Sequence, residues 1–186
     1  SNWFSRTRKG EGDIIGSFDA RITTIDEFAQ RQKLDVDFIK SDTEGSDFEV
    51  LKGAHHQLNG SVLGVRSEVN FSNVYHGCPL FGDVDKYLQG LGFTLLNLDY
   101  QGAGSPVNKF YLDEQHGTLE SSDATWIKSL SQIEAVSHDS NSAIKGLKLA
   151  HFCFRNGAPD VAIQYLLDIT ETIENTLHEF VDRPLG

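Results

Sequence analysis

Apolar and polar positions alternate between two periods along the first two-thirds of the chain. Val36, Phe38 and Ile39 make a short apolar run that ends in Lys40, Ser41 and Asp42. A run of that length bounded by charge predicts a buried strand. Asp42-Thr43-Glu44-Gly45 follows as an acidic turn, and apolar positions then recur at Phe48, Leu51, Ala54 and Leu58, the spacing of one helix face. Ser46-Asp47-Phe48-Glu49 reads as a capping box that opens this helix, and Asn59-Gly60 closes it.

The same alternation continues on both sides. Arg21–Ile25 is β-prone, and Thr24 caps a helix carrying Ile25, Phe28 and Ala29. Val62–Val69 is a second strand, apolar first and charged at Arg66 and Glu68. Leu80–Gln89 is a helix with Phe81, Val84, Tyr87 and Leu88 inward, and Phe93–Leu98 is a third strand. Gln101–Pro106 reads as a turn, followed by short strands at Lys109–Leu112 and Ala124–Ile127, which suggest an antiparallel edge. This order predicts an α/β fold. Its sheet core lies at 36–41, 62–68 and 93–98, with the first two strands parallel neighbours.

Beyond about residue 130 only helical spacing remains. Ile144, Leu147, Ala150 or His151, and Phe154 form one apolar face. Asn156-Gly157-Ala158-Pro159-Asp160 stops one helix and starts another, whose stripe runs through Ala162, Tyr165, Leu166, Ile169, Ile173, Leu177 and Phe180. The expected role of this hairpin is to cover the sheet. An exposed stripe would instead mark a protein-binding module.

Composition narrows the function. The 186 residues suffice for one domain with a real core plus a small appendage. A net charge of −11 argues against a nucleic-acid backbone as the main partner, though not against a nucleotide-like cofactor. No apolar run approaches a membrane span and there is no signal-peptide pattern, so no membrane partner is expected. Cys78 and Cys153, far apart and outside any paired motif, suit a reducing cytoplasm. The absence of methionine, even at position 1, reads as a piece of something longer. Arg6, Arg8 and Lys9 read as a solvated basic patch on a mobile terminus.

An ordered set of motifs resembles the FkbM family of S-adenosylmethionine (SAM)-dependent methyltransferases. Thr24-Ile25-Asp26-Glu27-Phe28 is similar to that family's T-L-D helix start. Lys40-Ser41-Asp42-Thr43-Glu44-Gly45 is similar to its K-x-D-x-E-G segment, and Val50-Leu51-Lys52-Gly53-Ala54 to its V-L-x-G-A helix. Glu68 falls where the family ends a strand with an acid. Leu88–Phe93 and Ser122-Asp123-Ala124-Thr125-Trp126 match two later motifs. The resemblance implies a partial Rossmann-like class I methyltransferase sheet with a C-terminal helical hairpin. Residues 1–130 would be the C-terminal part of the methyltransferase domain and 131–186 the hairpin appendage. Such enzymes hold SAM on a glycine-rich loop after their first strand and an acid ending the second. Gly10-Glu11-Gly12 and Gly102-Ala103-Gly104 match neither, so no cofactor-binding residue is assigned and this chain alone is expected to bind SAM weakly and to be inactive.

Methyl transfer requires an acceptor placed in line with the methyl group and a route for its proton. Asp42, Glu44 and Glu68 fall at two neighbouring strand ends, where open α/β sheets bind ligands. They are the candidate catalytic residues, as a base or, for Asp42 and Glu68, as ligands of magnesium. The implied partner is a small-molecule or sugar-like acceptor methylated on oxygen. The bland alternative has Asp42 capping the turn and Glu44 paired with Lys40 or Arg66. Two rival functions are a metal-dependent hydrolase on the same three acids and a non-catalytic interaction module using the C-terminal helices. The residues give no oligomeric state.

Overall fold

The computed structural model describes residues 16, 18–73, 77–104, 118–129 and 141–181. Along the chain these form α1 (Ile25–Gln32), β1 (Phe38–Ser41), α2 (Asp47–Lys52), α3 (His55–Asn59), β2 (Gly64–Asn70) and α4 (Phe81–Gly90). They continue as β3 (Phe93–Gly104), β4 (Thr118–Lys128), α5 (Asn141–Arg155) and α6 (Pro159–Val181). The four strands make one mixed sheet in the order β1-β2-β4-β3. β1 and β2 are parallel, as expected, with Ile39 opposite Val65 and Lys40 opposite Arg66. β4 runs antiparallel to both β2 and β3. The N-terminal basic cluster and the 109–112 strand lie outside the described residues, as do the side chains of Ile173, Leu177 and Phe180.

Strand residues alternate between two packed faces. On one face Ile39, Val65, Val69, Ala124, Trp126 and Phe93 meet Leu51, Ala54, Leu58, Val84 and Leu88 from α2, α3, α4 and the α2–α3 joint. Trp126 is fully buried there, and its indole N–H donates to Asp85 Oδ1 at 2.9 Å, tying α4 to the sheet. On the other face Leu63, Ile127, Phe38 and Leu96 meet Leu149, Ala150, Phe152 and Cys153 of α5 and Ala162 and Tyr165 of α6. Phe152 stacks on Phe38 with ring centroids 4.5 Å apart, directly over Gly64. A Cβ at residue 64 would lie 2.6 Å from that ring, which explains a glycine inside a strand.

Several expectations change. Residues 21–24 are irregular rather than a strand, although Thr24 and Glu27 form the expected helix cap. The single helix expected over 46–58 is two, broken at Gly53-Ala54. The cause is Asp26, whose carboxylate accepts from the backbone N–H groups of His56 and Gln57 at 2.9 and 3.0 Å and so caps α3 from outside. Gly53 packs against Thr24, where a Cβ would come within 3.2 Å, so Thr24-Ile25-Asp26 and Leu51-Lys52-Gly53-Ala54 form one joint. Ser46 makes no side-chain cap because its backbone is outside the extended region such a cap needs. Glu49 pairs with Lys52 instead of reaching back.

β4 is interior rather than an edge. Ala124, Thr125, Trp126 and Ile127 are buried on both faces, and a strand of that kind needs a neighbour on each side. β3 extends through Gly104, so Gln101–Gly104 is strand and not turn. Of the expected inward face of α5, Ala150 is buried, but Ile144, Leu147 and Phe154 are exposed, and Leu149 and Cys153 face inward instead. In α6, Ala162 and Ile169 are buried as expected, but Leu166 is exposed.

Candidate active site

The polar half of the hairpin-covered face lies toward the C-terminal ends of β1 and β2. Residues opposite each other in register share a face, which places Glu68 of β2, Asp123 of β4 and Asp99 of β3 in one row across three strands. Like charges directly opposite are destabilising unless offset. Arg66, one step back on the same face of β2, offsets two of the three. Its Nε and Nη2 donate to Asp123 Oδ2 at 3.1 and 2.8 Å, and Nη2 lies 2.7 Å from Asp99 Oδ2. Its Nη1 donates to Asn156 Oδ1 at 2.9 Å, so the α5–α6 turn holds the guanidinium in place. Burial disfavours the Arg66 cation, but the hydrogen bond and charge of Asp123, and then Asp99, outweigh it and raise its pKa.

Glu68 pairs with no cation among the described residues. It is partly buried, and burial is the first cause that lifts its pKa above the ordinary carboxylate value. The charges of Glu44, Asp47, Asp42 and Asp123 add to the lift, in that order. Asp42 is exposed and ion-paired with Lys40 at 2.8 Å, which raises the lysine's pKa. Asp42 does not cap the turn. That role falls to buried Asp47, which accepts from Ser41 Oγ at 2.6 Å and from Thr43 N–H at 3.1 Å.

Glu44 adopts a left-handed conformation, φ 53°, directly before Gly45 at φ 102°. A non-glycine residue there costs on the order of 1–3 kcal/mol, and such strain concentrates at functional turns. The structure thus brings Asp42, Glu44 and Glu68 within electrostatic reach of one another. Lys40 pairs with Asp42, and Arg66 with Asp123 and Asp99. Two residues beyond Glu68 and in the same alternation, Asn70 is buried, and its Oδ1 has no hydrogen-bond donor. A buried acceptor left in that state costs about 1–3 kcal/mol.

Three members of this site were not foreseen. Asp123 lies in the Ser122–Trp126 motif, which reads as a strand marker, and its carboxylate matters only once the register is known. Asp99 and Asn156 reach Arg66 from the far strand and from the hairpin turn, contacts no local pattern signals. No group of three or more His, Cys, Asp or Glu side chains among the described residues could hold a metal ion. The magnesium and hydrolase readings of Asp42, Glu44 and Glu68 therefore lack a donor set there. No described helix is long and apolar enough to cross a membrane.

No curated protein and no solved structure matches the chain. The model of the methyltransferase FkbM domain matches residues 1–95, just over half of the 186. The chain belongs to the FkbM methyltransferase family.

Proposed function

We propose that this chain supplies the acceptor side of a SAM-dependent O-methyltransferase, with Glu68 as the group that takes the acceptor's proton. The family implies SAM as methyl donor. Bound SAM presents an electrophilic methyl group, and the acceptor oxygen must lose a proton as it attacks. A carboxylate is an inefficient base at its ordinary pKa and improves as that value rises toward neutrality. The Glu68 pKa is raised and its carboxylate pairs with no cation among the described residues, and this observation carries the proposal.

The surroundings suit a small acceptor rich in hydroxyls, such as a sugar. Glu68 and Asp99 present acceptor oxygens from one sheet face. Hydroxyl donors on a ligand satisfy such groups. Asp42, held by Lys40, contributes field at the rim rather than the proton transfer itself.

No described strand runs into a glycine-rich turn that opens a helix, so the described residues do not by themselves fit the nucleoside of SAM. In this proposal residues 1–130 belong to the methyltransferase domain and 131–186 form an added hairpin. The cofactor half pairs along the outer edge of β1, which carries no strand among the described residues. The two free thiols, Cys153 buried and pushed up to about 11 by that burial, fit a reducing cytoplasm.

The test is transfer of a ¹³C-methyl group from labelled SAM by the intact enzyme to a panel of polyhydroxylated acceptors. Carbon NMR reads the bonded atom. An O-methyl signal supports the proposal, and an N-methyl or S-methyl product alone contradicts it.

A further inference from the structure

The turn between α5 and α6 closes through its backbone. Gly157 stands at φ 78°, the left-handed conformation that ends a helix. The Ala158 N–H reaches back to the Cys153 carbonyl at 3.0 Å, and the Gly157 N–H to that of Phe154 at 3.4 Å. Those two bonds complete the helix end, so the Asn156 side chain just before them is not needed to form the turn.

Asn156 is nonetheless buried, with 9% of its surface exposed. Its Nδ2 donates to the Phe152 carbonyl at 2.7 Å, which fixes the amide and directs Oδ1 to Arg66 Nη1 at 2.9 Å. Its own carbonyl accepts from Asn97 Nδ2 at 3.3 Å, and that nitrogen also donates to Asp99 Oδ1 at 3.0 Å. The turn is thus tied to β2 through Arg66 and to β3 through Asn97.

The Arg66 guanidinium has two edges to satisfy. Nε and Nη2 face Asp123 and Asp99, and Nη1 faces Asn156. Glu68 follows Arg66 on the same face of β2, and two residues of strand span about 7 Å, within the reach of an arginine side chain. Glu68 also stands opposite Asp123, in a pairing whose Cβ atoms lie about 4.5–5.5 Å apart. The other charged groups around it are Asp42 and Glu44 beyond β1, Asp47 at the start of α2, Asp123 and, farther along the row, Asp99, with Lys40 engaged by Asp42. An unoccupied Nη1 would turn to Glu68, the carboxylate on its own strand and face. Asn156 occupies Nη1 with a neutral oxygen, which takes the hydrogen bond and leaves the guanidinium charge to Asp123 and Asp99.

Building on the reading of Glu68 as the base, we propose that Asn156 is a positioning residue, which holds the Arg66 guanidinium on Asp123 and Asp99 and so keeps it off Glu68. A carboxylate paired with arginine has a lower pKa and is a weaker base. The hairpin turn therefore preserves the basicity of a group that it does not touch through Asn156.

Carbon NMR titration of the Glu68 carboxyl in the intact enzyme, run beside the methyl-transfer rate, is the test. Asn156→Ala releases Nη1, and the Glu68 pKa should fall toward the ordinary carboxylate value. Asn156→Asp keeps an acceptor oxygen for Nη1 and should leave the Glu68 pKa raised. In an Arg66→Gln background, Asn156→Ala should leave Glu68 unmoved, which a general loosening of the hairpin would not reproduce. The kcat of Asn156→Ala should fall about tenfold, less than on removal of the base itself, with the acidic limb moved to lower pH. Where a variant fails to fold, the unaltered enzyme decides: proton NMR should show the Arg66 Nη1 protons in contact with the Asn156 side chain and not with that of Glu68. An unchanged Glu68 pKa in folded Asn156→Ala overturns the proposal, as does an Arg66–Glu68 contact in the unaltered enzyme. A lowered Glu68 pKa with an unchanged rate upholds the positioning and rejects Glu68 as the base.

Discussion

Glu68 and Asp123 stand directly opposite each other on β2 and β4, two carboxylates on one sheet face with Arg66 bonded to only one of them. Burial comes first in lifting the Glu68 pKa, and the charge of Asp123 adds to it after those of Glu44, Asp47 and Asp42. Asp123→Asn removes the opposing charge and frees Arg66 to reach Glu68. A carbon NMR titration of the Glu68 carboxyl should show its pKa falling toward the ordinary value in that variant. An unchanged pKa would mean that burial and the charges of Glu44, Asp47 and Asp42 set it.

Glu68 should also cost stability at neutral pH. A carboxyl whose folded pKa is raised binds more protons folded than unfolded between its unfolded value and its raised value. Its contribution to stability is complete below the unfolded pKa and is lost as pH rises through the folded one. Glu68→Gln should therefore raise the melting temperature at pH 7 by an amount worth up to about 1 kcal/mol, once solvent screening is allowed for. The gain should vanish near pH 4. Thermal melts across pH check the sign, and destabilisation at pH 7 would contradict it.

Asp26 caps α3 across the joint with Thr24 and Gly53. Asp26→Ala leaves two helix N–H groups without their partner and should cost about 1–2 kcal/mol by urea denaturation. Asp26→Asn, which keeps one acceptor oxygen, should recover part of that loss.

Gly64 lies under the ring of Phe152. Gly64→Ala forces that ring off Phe38 and should destabilise by about 1–3 kcal/mol. Gly64→Ala in a Phe152→Leu background should cost less than in the parent, because a smaller side chain can yield. Equal costs in both backgrounds would place the strain elsewhere.

The sheet was legible where one period dominated. β1, β2 and α4 show clean apolar runs or stripes, and their positions and the parallel β1–β2 pairing follow from them. The strand-end acids were legible for the same reason, since each follows apolar residues that fix its strand. Other features depended on partners distant in sequence. The helix break at Gly53-Ala54 is set by Asp26, about one element upstream, and the place of β4 by the two strands that flank it. The face of α5 was misjudged because both faces are apolar, so spacing alone cannot say which one meets the sheet. Arg66 was legible as a cation near the acids. Its choice of Asp99, Asp123 and Asn156 over Glu44 was not, because three separate elements converge to make it.

The most direct test of the central claim is the methyl-transfer rate of the intact enzyme carrying Glu68→Gln, measured across pH on an acceptor that the parent methylates. The account predicts a loss of roughly 10²–10⁴-fold in kcat, with the acidic limb of the parent's pH profile abolished. Asp42→Asn, at a position already neutralised by Lys40, should lose less. A Glu68→Gln enzyme that keeps the parent's rate and pH profile would show that another group takes the proton and that the acidic row is structural.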